Sequence, residues 1–415
     1  MAANAMTPAT PRSAESLIAE ARQIAAELRQ QQDENDARGF YSEAIHRRLL
    51  EGGFYRILQP KMFGGLGLDC ETYVRVIMEL SRGHPASGWC YTLASSHAIV
   101  LAACFSEQTQ REIFGPTGDF RAAYAAGPAG PPKFERANGG YVVSGVWPFA
   151  SGIPVCTHFF GGAVIPNEAG QPVGLVFLVP KEQVTVLPDW SADVAMGMQG
   201  SGSNSVKLSD VFIADRHIAP SPIMRLSTEG LPDGTPGTRL HQDGLFLGII
   251  FGWFSCEFAA IFAGSARAAC EEYERLLRIK PSFADPTRKR MEEPEFQRLY
   301  GEAMCGADAA EALALAATRL YMQQCDGWTK HRTPITAEDT MRVWGISREG
   351  SRAACDAIEL MFHSVGASVV RRGERLQRYF RDAQMYRVHF QSQAHGPMLR
   401  SQVTLGMPLA PPFHR

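Results

Sequence analysis

The sequence predicts an α+β fold in which a central β domain separates two helical regions. Apolar residues recur at three-to-four spacing in the first 82 residues, short β-branched and aromatic runs with Gly, Pro and Asn fill residues 119–218, and long Ala-rich helical patterns follow. We therefore expect an N-terminal helical domain over residues 1–118, a central β-barrel or sandwich over residues 119–235, and a C-terminal four-helix bundle over residues 236–415.

The composition is that of a globular protein with a small-molecule ligand. The chain has 415 residues, of which 45% are hydrophobic and 20% are charged, so it is long enough for two or three packed units. Its 41 Lys and Arg residues and 43 Asp and Glu residues give a formal net charge of -2. A chain without excess positive charge binds a phosphate backbone poorly, so we expect no nucleic-acid partner.

We expect a cytoplasmic protein without a membrane span or a metal site. The first residues lack the basic and apolar segments of a secretory signal, and the most apolar run, residues 245–256, is too short to cross a bilayer. The nine cysteines occur singly, without a CxxC pair, which predicts reduced thiols inside apolar helices. The His and carboxylate spacings form no HExxH or similar metal-ligand motif.

The N-terminal region should contain amphipathic helices followed by one wholly apolar helix. The segment SAESLIAEARQIAAELRQ has helical periodicity, and a second helix should end at Gly52 and Gly53, because glycine favours the left-handed conformation of a helix C-cap. The later run ASGWCYTLASSHAIVLAACF is apolar on all sides and should be interior, with His97 in its middle.

Two segments of the β region combine strand-forming residues with Gly and Ser. They are YVVSGVWPFASG, residues 141–152, and MGMQGSGSNSVKLSDVF, residues 196–212. Glycine and serine at strand ends let the backbone approach a ligand closely, so both segments are candidates for a binding site. On local sequence alone, ordinary turns and an aromatic core residue explain the same pattern.

The C-terminal helical patterns include RDAQMYRVHF, residues 381–390. This motif, the strand segment 141–152, the turn PKMFGGLG before a buried helix, and the order of helices, strands and bundle together resemble the acyl-CoA dehydrogenase superfamily over nearly the whole chain. The branch that the chain is most similar to is the two-component flavin monooxygenases (group D), which includes the oxygenase component of 4-hydroxyphenylacetate hydroxylase.

The resemblance implies an oxygenase chemistry with a flavin that arrives already reduced. The protein would take reduced FAD or FMN from a separate NAD(P)H:flavin reductase, form a C4a-hydroperoxide with O2, and hydroxylate a small aromatic substrate of the phenol or indole type. The chain has no GxGxxG motif for a nicotinamide cofactor of its own, which agrees with a separate reductase. The fold also implies a homotetramer.

The segment RDAQMYRVHF separates dehydrogenase from oxygenase chemistry. The glutamate that acts as the base in the dehydrogenases falls on Phe390, and a phenyl ring cannot accept a proton, so dehydrogenation with this residue as base is excluded. The resemblance places His389 close to the flavin, where its imidazole would donate to the developing peroxide anion. His395 is the alternative choice.

The resemblance also assigns residues around the flavin ring and the substrate. Phe149 falls where an aromatic side chain stacks on the ring, and the hydroxyl of Ser151 falls at its N5 and O4 atoms. Ser201 and Ser203 lie in the segment that lines the flavin and substrate region. His97 matches a histidine that touches the polar edge of the substrate, where it would orient or deprotonate a phenol or indole. A satisfied core histidine remains an equal alternative for this position.

A third group of residues is implied to contact the flavin phosphate, partly across a subunit interface. It contains Arg267, Arg378 with the neighbouring Arg381, and the turn residues Ser364 and Gly366. Arginine suits bidentate phosphate contacts. Solvated or ion-paired arginines are the alternative, especially for Arg267.

Three other functions remain open from the sequence. One is N- or S-oxygenation by the same fold, another is an acyl-CoA dehydrogenase or oxidase with a relocated base, and the third is a catalytically silent helical scaffold. Ala125 and Ala126 stand where the 4-hydroxyphenylacetate enzyme has a second polar substrate contact, so we expect a different substrate. The sequence decides neither the substrate nor FMN against FAD.

Overall fold

The N-terminal part of the chain is helical. The computed structural model describes residues 12–115, 117–167, 169–390 and 395–408. The helices of this part are α1 (Ala14–Gln30), α2 (Gln32–Arg38), α3 (Glu43–Glu51), α4 (Cys70–Gly83), α5 (Pro85–Ser95), α6 (Ala98–Cys104) and α7 (Glu107–Phe114). Side-chain oxygens of Ser13, Ser42, Asp69 and Ser106 accept hydrogen bonds from backbone N–H groups at the starts of α1, α3, α4 and α7. These polar caps explain why the apolar periodicity begins where it does.

The predicted apolar helix is interior, but it is two helices. Helix α5 is almost entirely buried, as its composition indicates. It ends at Ser95 and α6 begins at Ala98, so His97 lies at the break between them. The prediction of one continuous helix around His97 is therefore wrong. The break points the imidazole of His97 toward the first β-strand, where its Nδ1 lies 2.7 Å from the carbonyl oxygen of Ala122.

The central part of the chain is a β-sandwich. One sheet has the order β1 (Ala122–Ala125), β4 (His158–Pro166), β5 (Pro172–Pro180) and β8 (Ile218–Pro220). The other has the order β2 (Lys133–Ala137), β3 (Gly140–Trp147), β7 (Val206–Ala214) and β6 (Thr185–Val186). Only the pair β1 and β4 is parallel among the described strands. The strand pattern did not predict the polar strand β2 or the short strand β8.

Trp147 joins the two sheets of the sandwich. Its ring is fully buried and lies edge-on to Phe177, with a centroid distance of 5.2 Å. Its indole N–H donates to the carbonyl oxygen of Gly162 at 2.8 Å. The tryptophan therefore packs in the core of the sandwich, and the nearby residues Pro148, Phe149 and Ser151 are the ones that reach the cavity described below.

Long helices form the C-terminal bundle. They are α9 (Ile250–Ile279), α10 (Pro294–His331), α11 (Ala337–Ser364) and α12 (Arg375–Arg387), preceded by the short helix α8 (Pro236–His241) and followed by α13 (His395–Thr404). The last predicted helix is thus two helices, and residues 391–394 lie outside the described part. No helix among the described residues is both long and apolar enough to cross a membrane. The domain boundaries given above stay predictions.

Candidate active site

A cavity of about 410 Å³ lies where the sandwich meets helices α5, α9 and α12. Its volume is in the range of small-molecule sites. Its wall consists of the following residues: Trp89, Leu93, His97, Tyr124, Ala125, Ala126, Gly127, Pro148, Phe149, Ser151, Trp190, Met198, Ser201, Ser203, Ile223, Phe254, Phe258, Met385, Tyr386, Val388, His389 and Phe390. The structure therefore brings together every residue predicted for the flavin ring and the substrate, and most of the wall is apolar.

The two Gly- and Ser-containing segments meet at one side of the cavity. The N–H of Ala150 donates to the carbonyl oxygen of Asn204 at 3.1 Å, and the N–H of Gly152 donates to that of Ser201 at 3.1 Å. These bonds hold the end of β3 against the loop that precedes β7. The side chains of both segments are consequently fixed relative to one another.

Ser151, Ser203 and Ser201 form a chain of buried hydroxyl groups. The oxygen of Ser203 lies 2.7 Å from that of Ser151 and 2.7 Å from that of Ser201. Three hydroxyl groups have three protons, and two of these are used within the chain. One O–H is therefore left to donate to an acceptor of a bound molecule.

Phe149 stands at the mouth of the cavity in an unusual backbone conformation. Its φ is 60°, which a bulky side chain rarely adopts, and its side chain is 65% exposed although it lines the cavity. The ring lies edge-on to Trp190 at a centroid distance of 6.1 Å. Strained residues of this kind cluster at ligand sites, so the conformation supports a role in binding.

His97 is a neutral imidazole in the wall of the cavity. A carbonyl oxygen can only accept, so Nδ1 must donate to Ala122 at 2.7 Å, and Nε2 carries the lone pair of the neutral ring. Burial lowers the pKa of His97 to about 4, although hydrogen bonds to backbone carbonyl groups oppose this effect. The rings of Tyr124 and Phe254 pack edge-on against it at 5.6 and 5.4 Å. His97 can therefore accept a hydrogen bond from a ligand at neutral pH.

His389 lies just beyond the C-terminus of α12, in an aromatic setting. Its ring is 4.9 Å from that of Phe258 and 5.5 Å from that of Trp89, measured between centroids. Burial lowers the pKa of His389 to about 4, so this imidazole is also neutral at pH 7. His395 begins α13, and its side chain lies outside the described residues.

The predicted phosphate contacts lie away from this cavity. Arg378 is buried, and its three guanidinium nitrogens bind Asp36 at 2.8 Å, Gln32 at 2.9 Å, and Asp33. This geometry, with every nitrogen of Arg378 engaged by α2, favours a structural ion pair in place of the predicted phosphate contact.

The other members of that group also have protein partners. Arg267 on α9 pairs with Asp308 and with Glu311, the latter at 3.0 Å, as the ion-paired alternative expects. The hydroxyl of Ser364 lies 2.7 Å from that of Tyr273, and Gly366 has a positive φ of 81° in the turn after α11. Phosphate binding by Arg267, Ser364 and Gly366 stays a prediction.

Sequence comparisons agree with this fold. The family described as acyl-CoA dehydrogenase, N-terminal domain, matches residues 12–117, and the corresponding C-terminal domain family matches residues 256–394, which together are more than half of the chain. The oxygenase component of an FADH2-dependent resorcinol hydroxylase from Rhizobium sp. is 29% identical over 352 residues, covering 82% of each chain. The oxygenase subunit of a flavin-dependent monooxygenase from Rhodococcus jostii is 28% identical and covers 86% of this chain and 89% of its own. The chain belongs to the flavin-dependent monooxygenases of the acyl-CoA dehydrogenase superfamily.

A solved structure shows the same architecture as this monooxygenase. The 3-HSA hydroxylase from Rhodococcus sp. RHA1 superimposes with a TM-score of 0.82, over 97% of this chain and 100% of that one, at 22% identity. The helical, β and helical order predicted from the sequence is thereby confirmed as the acyl-CoA dehydrogenase fold.

The described wall of the cavity in this monooxygenase contains no carboxylate that could serve as the base of a dehydrogenase. None of the described residues that line it is Asp, Glu, Lys or Arg. Glu257 on α9 is a candidate for a relocated base by its position between the wall residues Phe254 and Phe258, but it is fully buried outside the wall and burial raises its pKa well above the usual range. A protonated carboxyl group away from the cavity cannot remove a substrate proton there.

Sequence reasoning missed several wall residues, of which Tyr124 is the most informative. It lies in β1 directly before Ala125 and Ala126, and its hydroxyl is 3.5 Å from that of Ser221. Burial raises its pKa far above that of a free phenol, so it stays a neutral hydrogen-bonding group. The only signal for it in the sequence was an aromatic residue next to a predicted site position. Trp190, from the loop after β6, had no such signal.

Proposed function

We propose that this monooxygenase uses reduced flavin, supplied by a separate reductase, and O2 to hydroxylate a small, uncharged aromatic compound that carries a phenol or indole-type hydrogen-bond donor. The observation that supports this most strongly is a mainly apolar cavity whose described wall contains two neutral imidazoles and a chain of serine hydroxyls, without a charged side chain. Acyl-group dehydrogenation would require a basic carboxylate in this cavity.

The residues at the mouth of the cavity fit the ring of a flavin. The serine chain has one O–H to donate to a ring nitrogen or oxygen, and the exposed ring of Phe149 offers a flat apolar surface beside it. Reduced flavin, when bound, supplies the electrons that activate dioxygen, and a C4a-hydroperoxide as the oxygen donor is part of this proposal. FMN and FAD stay equal candidates. None of the described cavity residues is a cation, so the described wall does not indicate where the phosphate groups of the flavin bind.

Each polar side chain has a separate task in this proposal. The hydroxyl group of Ser151 forms a hydrogen bond to the edge of the flavin ring and fixes its position. His389 is a neutral imidazole whose ring N–H donates a hydrogen bond to the oxygen atom that reacts. This bond keeps a proton next to that oxygen atom. The Nε2 atom of His97 accepts a hydrogen bond from the O–H or N–H group of the substrate. This bond draws the proton away from the substrate and makes its aromatic ring a better nucleophile. The apolar walls formed by Trp89, Phe254 and their neighbours exclude water from the reacting atoms.

The absence of charge also limits the substrate class. A carboxylate brought into this cavity would lose its hydration without gaining a cationic partner among the described residues, and that costs several kcal/mol. We therefore propose uncharged phenols and indoles as substrates in preference to aromatic acids. Oxidation at nitrogen or sulfur is the alternative, and it would not depend on His97.

The decisive experiment mixes the anaerobic protein and reduced flavin with oxygenated buffer in a stopped-flow spectrometer. The proposal predicts an absorbing species that outlives mixing and precedes oxidised flavin. Immediate appearance of oxidised flavin, at the rate seen without protein, would reject the oxygenase proposal. Replacing His389 by Ala should shorten the lifetime of this species, whereas replacing the surface residue Ser144 by Ala should leave it unchanged.

A further inference from the structure

The loop that carries Ser201 and Ser203 has a backbone that needs external support. Met198, which also lines the cavity, has a φ of 53°, a left-handed conformation that costs free energy for a residue other than glycine. The preceding Gly197 passes so close to the carbonyl group of Arg381 that a Cβ atom would collide with it. A loop in this conformation persists only if its surroundings fix it.

Helix α12 supplies that support from one side. The carboxylate oxygen Oδ1 of Asp382 accepts a hydrogen bond from the N–H of Met198 at 2.6 Å. The neighbouring Arg381 donates from Nη1 to the carbonyl oxygen of Met196 at 2.7 Å. A hydrogen bond from a backbone N–H to a carboxylate is roughly twice as strong as a neutral one. Both bonds involve a charged group, but only the bond to Asp382 is buried, so Asp382 is the attachment of α12 to the loop that solvent does not screen.

The segment after α2 holds the loop from the other side. The N–H of Gly202 donates to the carbonyl oxygen of Gly39 at 2.7 Å. The imidazole of His84 packs against Gly200, where a Cβ atom would come within 2.9 Å of it. His84 in turn lies 3.1 Å from Asp36, which Arg378 of α12 also binds. His84, which packs against the loop, and Asp382, which bonds to it, therefore belong to one buried polar cluster with Asp36 and Arg378.

We propose that Asp382 is a positioning residue, which fixes the segment from Met198 to Ser203 and thereby aims the Ser201, Ser203 and Ser151 hydroxyl chain into the cavity. Asp382 does not line the cavity and acts only through the backbone of Met198. The catalytic consequence of this placement rests on the proposed function, but the placement itself does not.

The electrostatic setting makes this attachment sensitive to pH. Asp382 is 2% exposed, and its Oδ2 has no hydrogen-bond partner among the described residues. Burial, and then the nearby Asp36, raise the pKa of Asp382 to about 6. The charged and titratable groups around it are Asp33 and Asp36 of α2, His84 before α5, and Arg378 and Arg381 of α12. Above pH 6 the ionised carboxylate strengthens the bond to Met198, and below pH 6 protonation weakens it.

Hydrogen exchange of the flavin-free protein tests the placement directly. In the Asp382→Ala variant, the amides of residues 196–203 should exchange at least about tenfold faster than in the parent protein, because a charge-assisted bond is lost. The matched control is Asp69→Ala, which removes a carboxylate bond to the N–H of Thr72 at the start of α4 and should leave this loop unchanged. Unchanged exchange of residues 196–203 in a folded Asp382→Ala protein would overturn the proposal.

The variant Asp382→Asn keeps the proposal testable if the alanine variant does not fold. Its amide oxygen can still accept from Met198 but cannot ionise. After correction for intrinsic exchange, the parent loop should become less protected as the pH falls from 7.5 to 5, whereas the Asn variant should show no such change. An equal pH dependence in both proteins would contradict a role of the carboxylate.

Oxygenase assays then separate this inference from the proposed function. If Asp382→Ala loosens the loop, more of the consumed O2 should appear as hydrogen peroxide, about tenfold more relative to hydroxylated product. A loosened loop with unchanged coupling would leave the positioning role intact and would reject the role of the serine chain at the flavin.

Discussion

Two buried polar regions lie on either side of the Met198 loop and differ in charge. In the cavity, the polar groups are hydroxyls and imidazoles that stay neutral at pH 7. In the second region, away from the cavity, Arg378 forms an ion pair with Asp36, His84 lies 3.1 Å from Asp36, and the buried Asp382 is nearby. Among the described residues, charged groups thus join the helical regions and are absent from the cavity wall. A monooxygenase gains from this division, because uncompensated charge would draw water into the cavity.

The largest expected effect comes from breaking the charged region. Replacing Arg378 by Met leaves the buried Asp36 without its guanidinium, which should lower the free energy of unfolding by about 3–5 kcal/mol. Denaturant titration measures this loss. The matched control is Arg298→Met, because Arg298 pairs with Glu295 and Glu302 at the surface, where solvent screens the charges, so its loss should be much smaller. Equal losses in the two variants would contradict the comparison.

The next largest effect is expected from lowering the pH, which should reduce the contribution of the neutral His97 to the free energy of unfolding. Burial lowers the pKa of His97 to about 4 in the folded protein, whereas an unfolded chain has the ordinary histidine pKa of about 6.5, so only the unfolded chain takes up this proton between those pH values. Its contribution to stability is fully present above pH 6.5 and is lost as the pH falls toward 4, by on the order of 3 kcal/mol.

The His97→Asn variant isolates this contribution. Its amide can still donate to the carbonyl oxygen of Ala122, but it does not titrate. The difference in unfolding free energy between parent and variant should therefore shrink as the pH falls from 7 to 4.5. A difference that stays constant with pH would show that His97 is not held neutral by burial.

The smallest expected effect concerns the serine chain. Replacing Ser151 by Ala removes one hydroxyl group without changing charge, so the lifetime of the oxygen-reactive species should fall about tenfold while the protein remains as stable as its parent to within about 1 kcal/mol. Stopped-flow absorbance and denaturant titration give the two values. An unchanged lifetime would remove Ser151 from the proposed site.

The sequence predicted the residues that line the cavity better than the buried contacts that connect the surrounding helices. Phe149, Ser151 and His389 were assigned by the resemblance of two local motifs, residues 141–152 and 381–390, and all three line the cavity. The pairing of Arg378 with α2 could not be read from the chain, because it joins residues more than 340 positions apart. The sequence around Arg378 does not indicate whether its guanidinium group binds a phosphate or a buried carboxylate.

The break between α5 and α6 shows a second limit. Apolar periodicity continues through residues 85–104 without a glycine or proline at the break, so the pattern favours one helix. The hydrogen bond from His97 to Ala122 of β1 is a long-range contact that local propensity does not contain. Tyr124 was missed for the same reason, because its place beside His97 depends on the packing of a strand against a helix end.

Mass spectrometry of the product formed under isotopically labelled dioxygen tests the neutral oxygenase cavity most directly. The reaction would contain this protein, a flavin reductase with its nicotinamide substrate, flavin, and matched pairs of uncharged phenols or indoles and their carboxylated analogues. The account predicts one labelled oxygen atom in the uncharged product and at least about tenfold less in the acid. Equal oxygenation of the carboxylated analogue, or a product without the label, would contradict it.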